Sequence, residues 1–333
     1  MFAFECINQY VKMAKTILIT GASGFIGSFF VEEALQRKWT TWAGIRRSSS
    51  REYLQDAEIR LIDLNFSDKE KLKAQILEHC NQFGKWDYII HNAGATKCLN
   101  INDFDKVNYG FTKNFVEALQ ETNCQPEKFL FMSSLSANHP RVNTAYGRSK
   151  QKAEQLLESQ TGFPYMILCP TGVYGPRDKD YFLMLKTLKT GLNVAAGFRP
   201  QELTFIYVKD VVKAAFAALE SPLKNRKYPL SDGQTYSDRE YTKIAQKTIG
   251  IRFALSIRIP ICILYLVSVV AENWSKLSGK PSALNRDKFQ IMKERDWRCD
   301  SSSIEHDLNF RAEYDLSRGM KESVEWYREH RWL

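Results

Sequence analysis

The chain has little that would place it outside a reducing, aqueous compartment. Its seven cysteines, at 6, 80, 98, 124, 169, 262 and 299, are odd in number and include no Cys-x-x-Cys pair. This argues against a disulfide framework and against a zinc site, and the expected setting is cytoplasmic, with no bound metal. No basic region precedes the short apolar stretch near the N-terminus, so a signal peptide is not expected. Residues 1–12 read as an extension ahead of the first strand, and Met13-Ala14-Lys15 offers a second start. Internal repeats and low-complexity tracts are missing. The chain also lacks a run of the roughly 20 apolar residues that cross a bilayer, since its most apolar segment, 261–271, has only eleven.

That segment, Ile-Cys-Ile-Leu-Tyr-Leu-Val-Ser-Val-Val-Ala, is apolar on all sides. A buried helix or the wall of an apolar pocket is the first expectation. An interfacial membrane contact, with Trp274 and Lys276 beside it, and a dimer face are the alternatives. The formal charge is +9, but the positives are dispersed rather than run together. No nucleic-acid partner is therefore expected; a solvated surface excess is the first reading, and a mild pull on anionic ligands such as a phosphorylated cofactor is the alternative. The 333 residues suffice for one large or two intertwined domains.

What is present is an alternation. Apolar strand patterns near 15–20, 40–45, 58–62, 87–91, 127–133 and 164–169 are separated by helical patterns over 25–37, 67–82, 103–121 and 146–160. This predicts a Rossmann-type α/β fold, a doubly wound parallel sheet with helices on both faces. After Pro170 glycine- and proline-bearing loops alternate with short helices. Residues 13–170 are thus expected to form one unit, and 171–333 a smaller substrate-binding region intertwined with it.

Directly after the first strand comes Thr20-Gly-Ala-Ser-Gly-Phe-Ile-Gly27. Gly21 permits a tight turn, Gly24 a close backbone approach, and Gly27 packing of the new helix on the sheet. The backbone from Ser23 through Phe25 and Ile26 then presents N–H groups at a helix N-terminus, which suits a dinucleotide pyrophosphate. The spacing is one residue longer than G-x-G-x-x-G.

A second constellation is Ser134, Tyr146 and Lys150. Four-residue spacing at a helix start puts phenol and ammonium on one face. A nearby cation is expected to lower the phenol's pKa toward neutrality, giving an acid–base group. Ser134 follows a strand and would hold a substrate oxygen across the cleft. A second Tyr-x-x-x-Lys, Tyr109 to Lys113, lies inside a helix with no serine-bearing strand end upstream, and is read as structural.

These pieces resemble the extended short-chain dehydrogenase/reductase superfamily, also labelled NAD-dependent epimerase/dehydratase. The resemblance rests on Thr20 to Gly27, Asp63-Leu64, His91-Asn92-Ala93-Gly94, Asn108, Ser133-Ser134, Tyr146 to Lys150, Pro170 to Pro176 and Phe205 to Asp210, in the family's order over about 190 residues. Trp326-Tyr327 to Trp332-Leu333 is similar to its final helix. The resemblance implies that Asp63, with Leu64, meets the adenine and that Asn92, Ala93 and Gly94 pass the nicotinamide side. It places Asn108 behind the site and Pro170, Gly172 and Val173 beside the carboxamide. It gives Tyr146 the proton, Lys150 the nicotinamide ribose and Ser134 the reacting oxygen.

An NAD site commonly has an acidic residue at the end of strand two. Here Ala43-Gly-Ile-Arg-Arg47 has none, and Arg46 and Arg47 suit a 2′-phosphate. NADP(H) is the expected cofactor and NAD(H) the alternative. Other departures narrow the reaction. Leu135-Ser136 replaces the Asp-Glu of the family's dehydratases. Leu203-Thr204 stands where nucleotide-sugar enzymes carry Arg, with Arg177 and Arg199 as conceivable substitutes. The link from Ser134 to Tyr146 is short; His139, Pro140 and Arg141 at its start read first as a turn, with a border of the pocket as the alternative.

Segment 261–271, Lys280-Pro281 and the Trp297 region are loosely similar to the hydroxysteroid dehydrogenase and flavonoid-reductase branches, which implies an apolar substrate. The expectation is an NAD(P)-dependent oxidoreductase for a small, apolar carbonyl or secondary alcohol. A nucleotide-sugar epimerase with retained cofactor and a non-catalytic dinucleotide-binding protein are the alternatives. A two-fold homodimer is the commonest assembly.

Overall fold

A computed structural model describes residues 14–279, 282 and 284–333. The N-terminal extension, Cys6, Met13, Lys280-Pro281 and the side chain of Lys276 lie outside the described residues. The first half runs β1 (Thr16–Thr20), α1 (Phe25–Gln36), β2 (Thr40–Gly44), β3 (Arg60–Ile62), α2 (Lys69–Phe83) and β4 (Tyr88–His91). It continues through α3 (Asn102–Phe104), a π-helical turn (Asp105–Gly110), α4 (Phe111–Glu121), β5 (Lys128–Met132), α5 (Ala145–Glu158) and β6 (Tyr165–Pro170). Strands β4, β5 and β6 are buried throughout, which is why they read as unbroken apolar runs rather than alternating ones.

Beyond Pro170 come β7 (Gly172–Tyr174), α6 (Asp180–Lys189), β8 (Leu192–Ala196), β9 (Glu202–Leu203), β10 (Phe205–Tyr207), α7 (Val208–Glu220) and β11 (Arg226–Leu230). Then follow β12 (Tyr236–Ser237), α8 (Asp238–Ile249), β13 (Leu255–Ile259), α9 (Ile261–Ser278), α10 (Arg286–Lys293), β14 (Asp296–Trp297), α11 (Ser302–Leu308) and α12 (Leu316–Glu329).

Seven parallel strands form the main sheet in the order β11-β6-β5-β4-β1-β2-β3. Alternate residues of β1 enter opposite cores. Ile17 and Ile19 pack with Phe30 of α1 and Phe216 of α7, whereas Leu18 packs with Leu72, Phe115 and Trp86. Helices therefore cover both faces. The chain winds from β1 toward β3 on one side and from β4 toward β11 on the other, so the order reverses between β1 and β4. Beyond the carboxyl ends of these two strands a crevice opens.

The seventh strand was not among the expected ones. β11 reads Arg-Lys-Tyr-Pro-Leu, where two cations and Pro229 hide the strand pattern. It stands at the sheet's edge, the place where a proline's missing N–H is tolerated.

The apolar segment corrects its first expectation. α9 is amphipathic, not buried. Leu264 and Ser268 face a small satellite core with Phe289 and Ala196, while Leu266, Val270 and Trp274 stand more than 60% exposed. Among the described residues no helix is long and apolar enough to cross a membrane. The six described cysteines are free thiols.

Candidate active site

The glycine turn is shaped by contacts that leave no room for side chains. Gly21 has φ +66°, and a Cβ there would sit 2.9 Å from the Ala93 nitrogen. A Cβ on Gly27 would stand 2.1 Å from the Gly21 carbonyl oxygen. Gly24 is the N-cap of α1, with extended backbone and no side-chain cap, and no acidic residue occupies the helix's first turn. The first-turn N–H groups at Phe25 and Ile26 thus meet the crevice without a carboxylate to compete. These features fit a pyrophosphate.

The loop after β4 lies against this turn. The Ala93 N–H donates to Thr20 Oγ1 at 3.1 Å, and Asn108 clamps the far side, accepting from Ala95 N at 2.7 Å and donating to Ala95 O at 3.0 Å. Asn108 also donates to Ser149 Oγ at 2.9 Å, tying the loop to α5. It sits in the π-helical turn, where one extra residue turns its amide inward. A Cβ on Gly94 would meet Asn108 Oδ1 at 2.9 Å and Lys150 Nζ at 3.2 Å, so Gly94 brings the backbone directly against Lys150.

His91, at the end of β4, bridges Thr20 Oγ1 at 2.9 Å and Thr112 Oγ1 at 3.1 Å. Burial, with the Lys150 charge added, pushes its pKa down to about 3. His79, stacked on Trp86, is pushed to about 4 by burial, with Arg60 adding to the shift. Both are neutral in the fold and take protons near pH 6.5 once unfolded. Their stabilisation is whole above pH 6.5 and is lost as pH falls toward their folded values. Between pH 6.5 and 5 a urea titration should lose roughly 2 kcal/mol of stability per histidine. A flat profile over that window would contradict the buried neutral state.

α5 carries Tyr146 and Lys150. Thr144 caps it, accepting from Gly147 N at 2.9 Å, and Asp287 of α10 accepts from Tyr146 N at 3.2 Å. Gly147 lets α5 close on the turn after β5, for a Cβ there would stand 2.4 Å from the Ser136 carbonyl oxygen. That approach sets Ser134 beside Tyr146. The phenol, edge-on to Phe104, is pushed up by burial, and the Ser134 hydroxyl draws it part of the way back. Lys150 is buried, donates to Met132 O at 2.7 Å and lies 4.7 Å over the Phe131 ring. Burial pushes its pKa down to about 8. The expected depression of the tyrosine by Lys150 is thus absent from the described site. Desolvation dominates both groups, favouring neutral phenol and weakening the ammonium.

Glu154 was missed by sequence reasoning. It lies one turn beyond Lys150 on the same helix face, a Tyr-x₃-Lys-x₃-Glu pattern that would have signalled it. Almost fully buried, it accepts from Ser133 Oγ and from Asn138 Nδ2 at 2.6 Å and pairs with Lys227 at 3.3 Å. It therefore anchors the Ser133–Asn138 segment that presents Ser134.

At the opposite end of the crevice, Arg46 and Arg47 follow β2 and are exposed. Arg47 N donates to Asp63 Oδ2 at 3.2 Å, bringing together the two strand ends expected at an adenosine. Leu64 beside it is buried. Pro170, Gly172 and Val173 span the junction of β6 and β7, where a Cβ on Gly172 would strike the Tyr181 hydroxyl. Tyr109 lies in the π-helical turn and Lys113 pairs with Glu117 on α4, in keeping with a structural role.

The conceivable diphosphate ligands do not gather here. Arg177 is occupied by Ser28 at 2.9 Å and by Glu32 on α1, and stacks over Phe29 and Tyr53. Arg199 is exposed. Thr204 ties Thr171 at 2.8 Å to the Trp297 carbonyl at 2.7 Å. His139 and Arg141 hold Asp296, through its carbonyl and its carboxylate respectively, both at 2.8 Å. The segment from α10 to β14 thereby lies over the Ser134–Tyr146 link.

The profile of the NAD dependent epimerase/dehydratase family matches residues 17–231. A ceramide reductase of Caulobacter vibrioides is 24% identical over 319 residues, 95% of this chain and 96% of that protein. The UDP-glucose 4-epimerase of Thermotoga maritima, solved with UDP-glucose, superposes with a TM-score of 0.73 at 19% identity over 95% of this chain and 99% of that one. The dTDP-glucose 4,6-dehydratase of Bacillus anthracis, solved with NAD, gives 0.72 at 16% identity over 95% and 97%. At such identities the superpositions carry the seven-stranded Rossmann-like fold alone.

Proposed function

Because the chain belongs to the NAD dependent epimerase/dehydratase family, we propose that it is an NADP(H)-dependent reductase of an apolar, lipid-like ketone, run in reverse as a secondary-alcohol dehydrogenase. The observation that carries this reading is the placement of Ser134 beside Tyr146, on the helix that also sets the buried Lys150 against Gly94 of the loop packed on the glycine turn. Gly21, Ser23, Gly24, Phe25, Ile26 and Gly27 would hold the pyrophosphate, and Asp63 with Leu64 the adenine. Asn92, Ala93, Gly94, Pro170, Gly172 and Val173 would flank the nicotinamide, and Lys150 its ribose. When bound, the cofactor exchanges a hydride with the substrate carbon. Ser134 would donate a hydrogen bond to the substrate oxygen, and the neutral Tyr146 phenol would deliver a proton to it.

The substrate class is favoured by two features. Thr204 spends its hydroxyl within the fold where a diphosphate-holding cation would stand. One of the relatives matched along nearly the whole chain is a ceramide reductase, a name that points to a lipid. A nucleotide-sugar epimerase would use the same three side chains and has the likeness to the T. maritima structure on its side. It would keep its nicotinamide through purification. The proposed reductase should show no retained nicotinamide absorbance and should oxidise added NADPH when given an apolar ketone. Firmly retained cofactor, with no turnover of added NADPH, would favour the epimerase.

Cofactor choice follows from charge. One guanidinium pairing with a 2′-phosphate contributes about 1.5–3 kcal/mol. Titrated by fluorescence, NADPH should therefore bind at least about tenfold more tightly than NADH. Replacing Arg46 and Arg47 together by Ala should erase the difference. A native preference for NADH would overturn the choice.

A further inference from the structure

We propose that the exposed apolar face of α9 and of the β8–β13 pair docks the protein on the surface of an anionic lipid bilayer. Of the twenty large apolar side chains left exposed among the described residues, fifteen fall between 183 and 198 or between 253 and 277. On α9 they form one stripe, with Ile263, Leu266, Val267, Val270, Trp274 and Leu277 at helical spacing. On the adjoining sheet, Leu255 pairs with Leu192 and Ile257 with Val194, which puts these four exposed side chains on one face. Only Pro260 separates β13 from α9. So many exposed apolar side chains gathered on elements that adjoin in the chain are unusual on a protein that meets only water.

The charges decide the occupant. Stretches 183–199 and 252–275 contain Lys186, Lys189, Arg199, Arg252 and Arg258, against the single carboxylate of Glu272. Glu272 is engaged by Arg286 at 2.9 Å, and Arg258 by Asp238 at 2.7 Å. A second copy docked through a two-fold axis would set this basic rim against itself. An anionic headgroup layer complements it, while the apolar stripe enters the acyl boundary. α9 is amphipathic and too polar to span, as an interfacial helix should be.

The face also reaches the candidate active site. Tyr265 of α9 packs its ring 5.3 Å from Phe289 of α10, and Asp287 of α10 accepts from the Tyr146 backbone. A bilayer against α9 would lie one helix away from the cleft, placing a membrane-dissolved substrate at hand. The docking face stands on its own surface chemistry, so it and the proposed reductase activity can fail separately.

The test is sedimentation of the full chain with vesicles, needing no turnover. Wild type should sediment with vesicles of phosphatidylcholine and phosphatidylglycerol in equal parts, and more weakly with phosphatidylcholine alone. Leu266→Glu with Val270→Glu should cut binding to both at least about tenfold. Lys189→Glu with Arg252→Glu should cut binding to the anionic vesicles by a similar factor, since each cation near such a surface contributes about fivefold. Thermal unfolding and dinucleotide binding check each variant's fold. Should the first pair misfold, Leu277→Glu, at the most exposed position of the stripe, takes its place. Failure of folded wild type to bind either vesicle overturns the proposal, as does unchanged binding in the folded apolar variants. A vesicle-free dimer that Val270→Glu dissociates also overturns it, in favour of a second copy.

Discussion

Tyr146→Phe is expected to lower turnover about 10²–10⁴-fold, the usual contribution of a positioned acid–base group, while dinucleotide affinity stays within about twofold. The change removes one oxygen and keeps the ring that rests edge-on to Phe104. It leaves the glycine turn, Asn108 and Lys150 untouched. Burial pushes the phenol above its ordinary range, so near neutral pH it holds its proton. That state suits delivery of a proton to a reduced carbonyl oxygen. In the oxidising direction the same group must accept a proton, and the rate should climb with pH. Steady-state kinetics in both directions, with cofactor affinity measured by fluorescence, check the prediction. Full turnover by the phenylalanine variant would remove Tyr146 from the chemistry.

Much of this arrangement could be read before any coordinates. Strands such as Thr16-Ile-Leu-Ile-Thr20 and Phe129-Leu-Phe-Met132 are buried on both faces, so their apolar runs announce themselves. Gly21, Gly24 and Gly27 mark a turn that other residues cannot make, and Tyr146 with Lys150 shares a helix face by spacing alone. What stayed hidden depends on partners distant in sequence. Glu154 matters because Ser133, Asn138 and Lys227 converge on it. Asp287 reaches Tyr146 from a helix 141 positions later. The electrostatics were hidden for the same reason. Spacing places Lys150 one turn from Tyr146, but only the fold reveals that burial outweighs the attraction of ammonium for phenolate. Segment 261–271 misled differently. All-round apolarity suggested burial, yet only Leu264 and its neighbours on one face find a core.

Gly27→Ala should abolish dinucleotide binding, weakening it by at least about a hundredfold, because the new methyl would stand 2.1 Å from the Gly21 carbonyl oxygen. The clash is with backbone, which no rotamer change relieves, so the turn itself must move off the helix. Gly21→Ala should be nearly as severe. It adds a left-handed φ to a 2.9 Å contact with the Ala93 nitrogen. Gly24→Ala is the internal control. Its backbone is extended and its nearest contact is 3.2 Å from the Gly21 oxygen, so the empty fold should tolerate it with a small shift. Any loss of affinity at that position then reports the close approach of a bound phosphate rather than damage to the turn. Calorimetric titration of NADPH across the three variants, with thermal unfolding measured beside it, separates these causes. Wild-type affinity in a folded Gly27→Ala variant would mean that the dinucleotide does not use this turn.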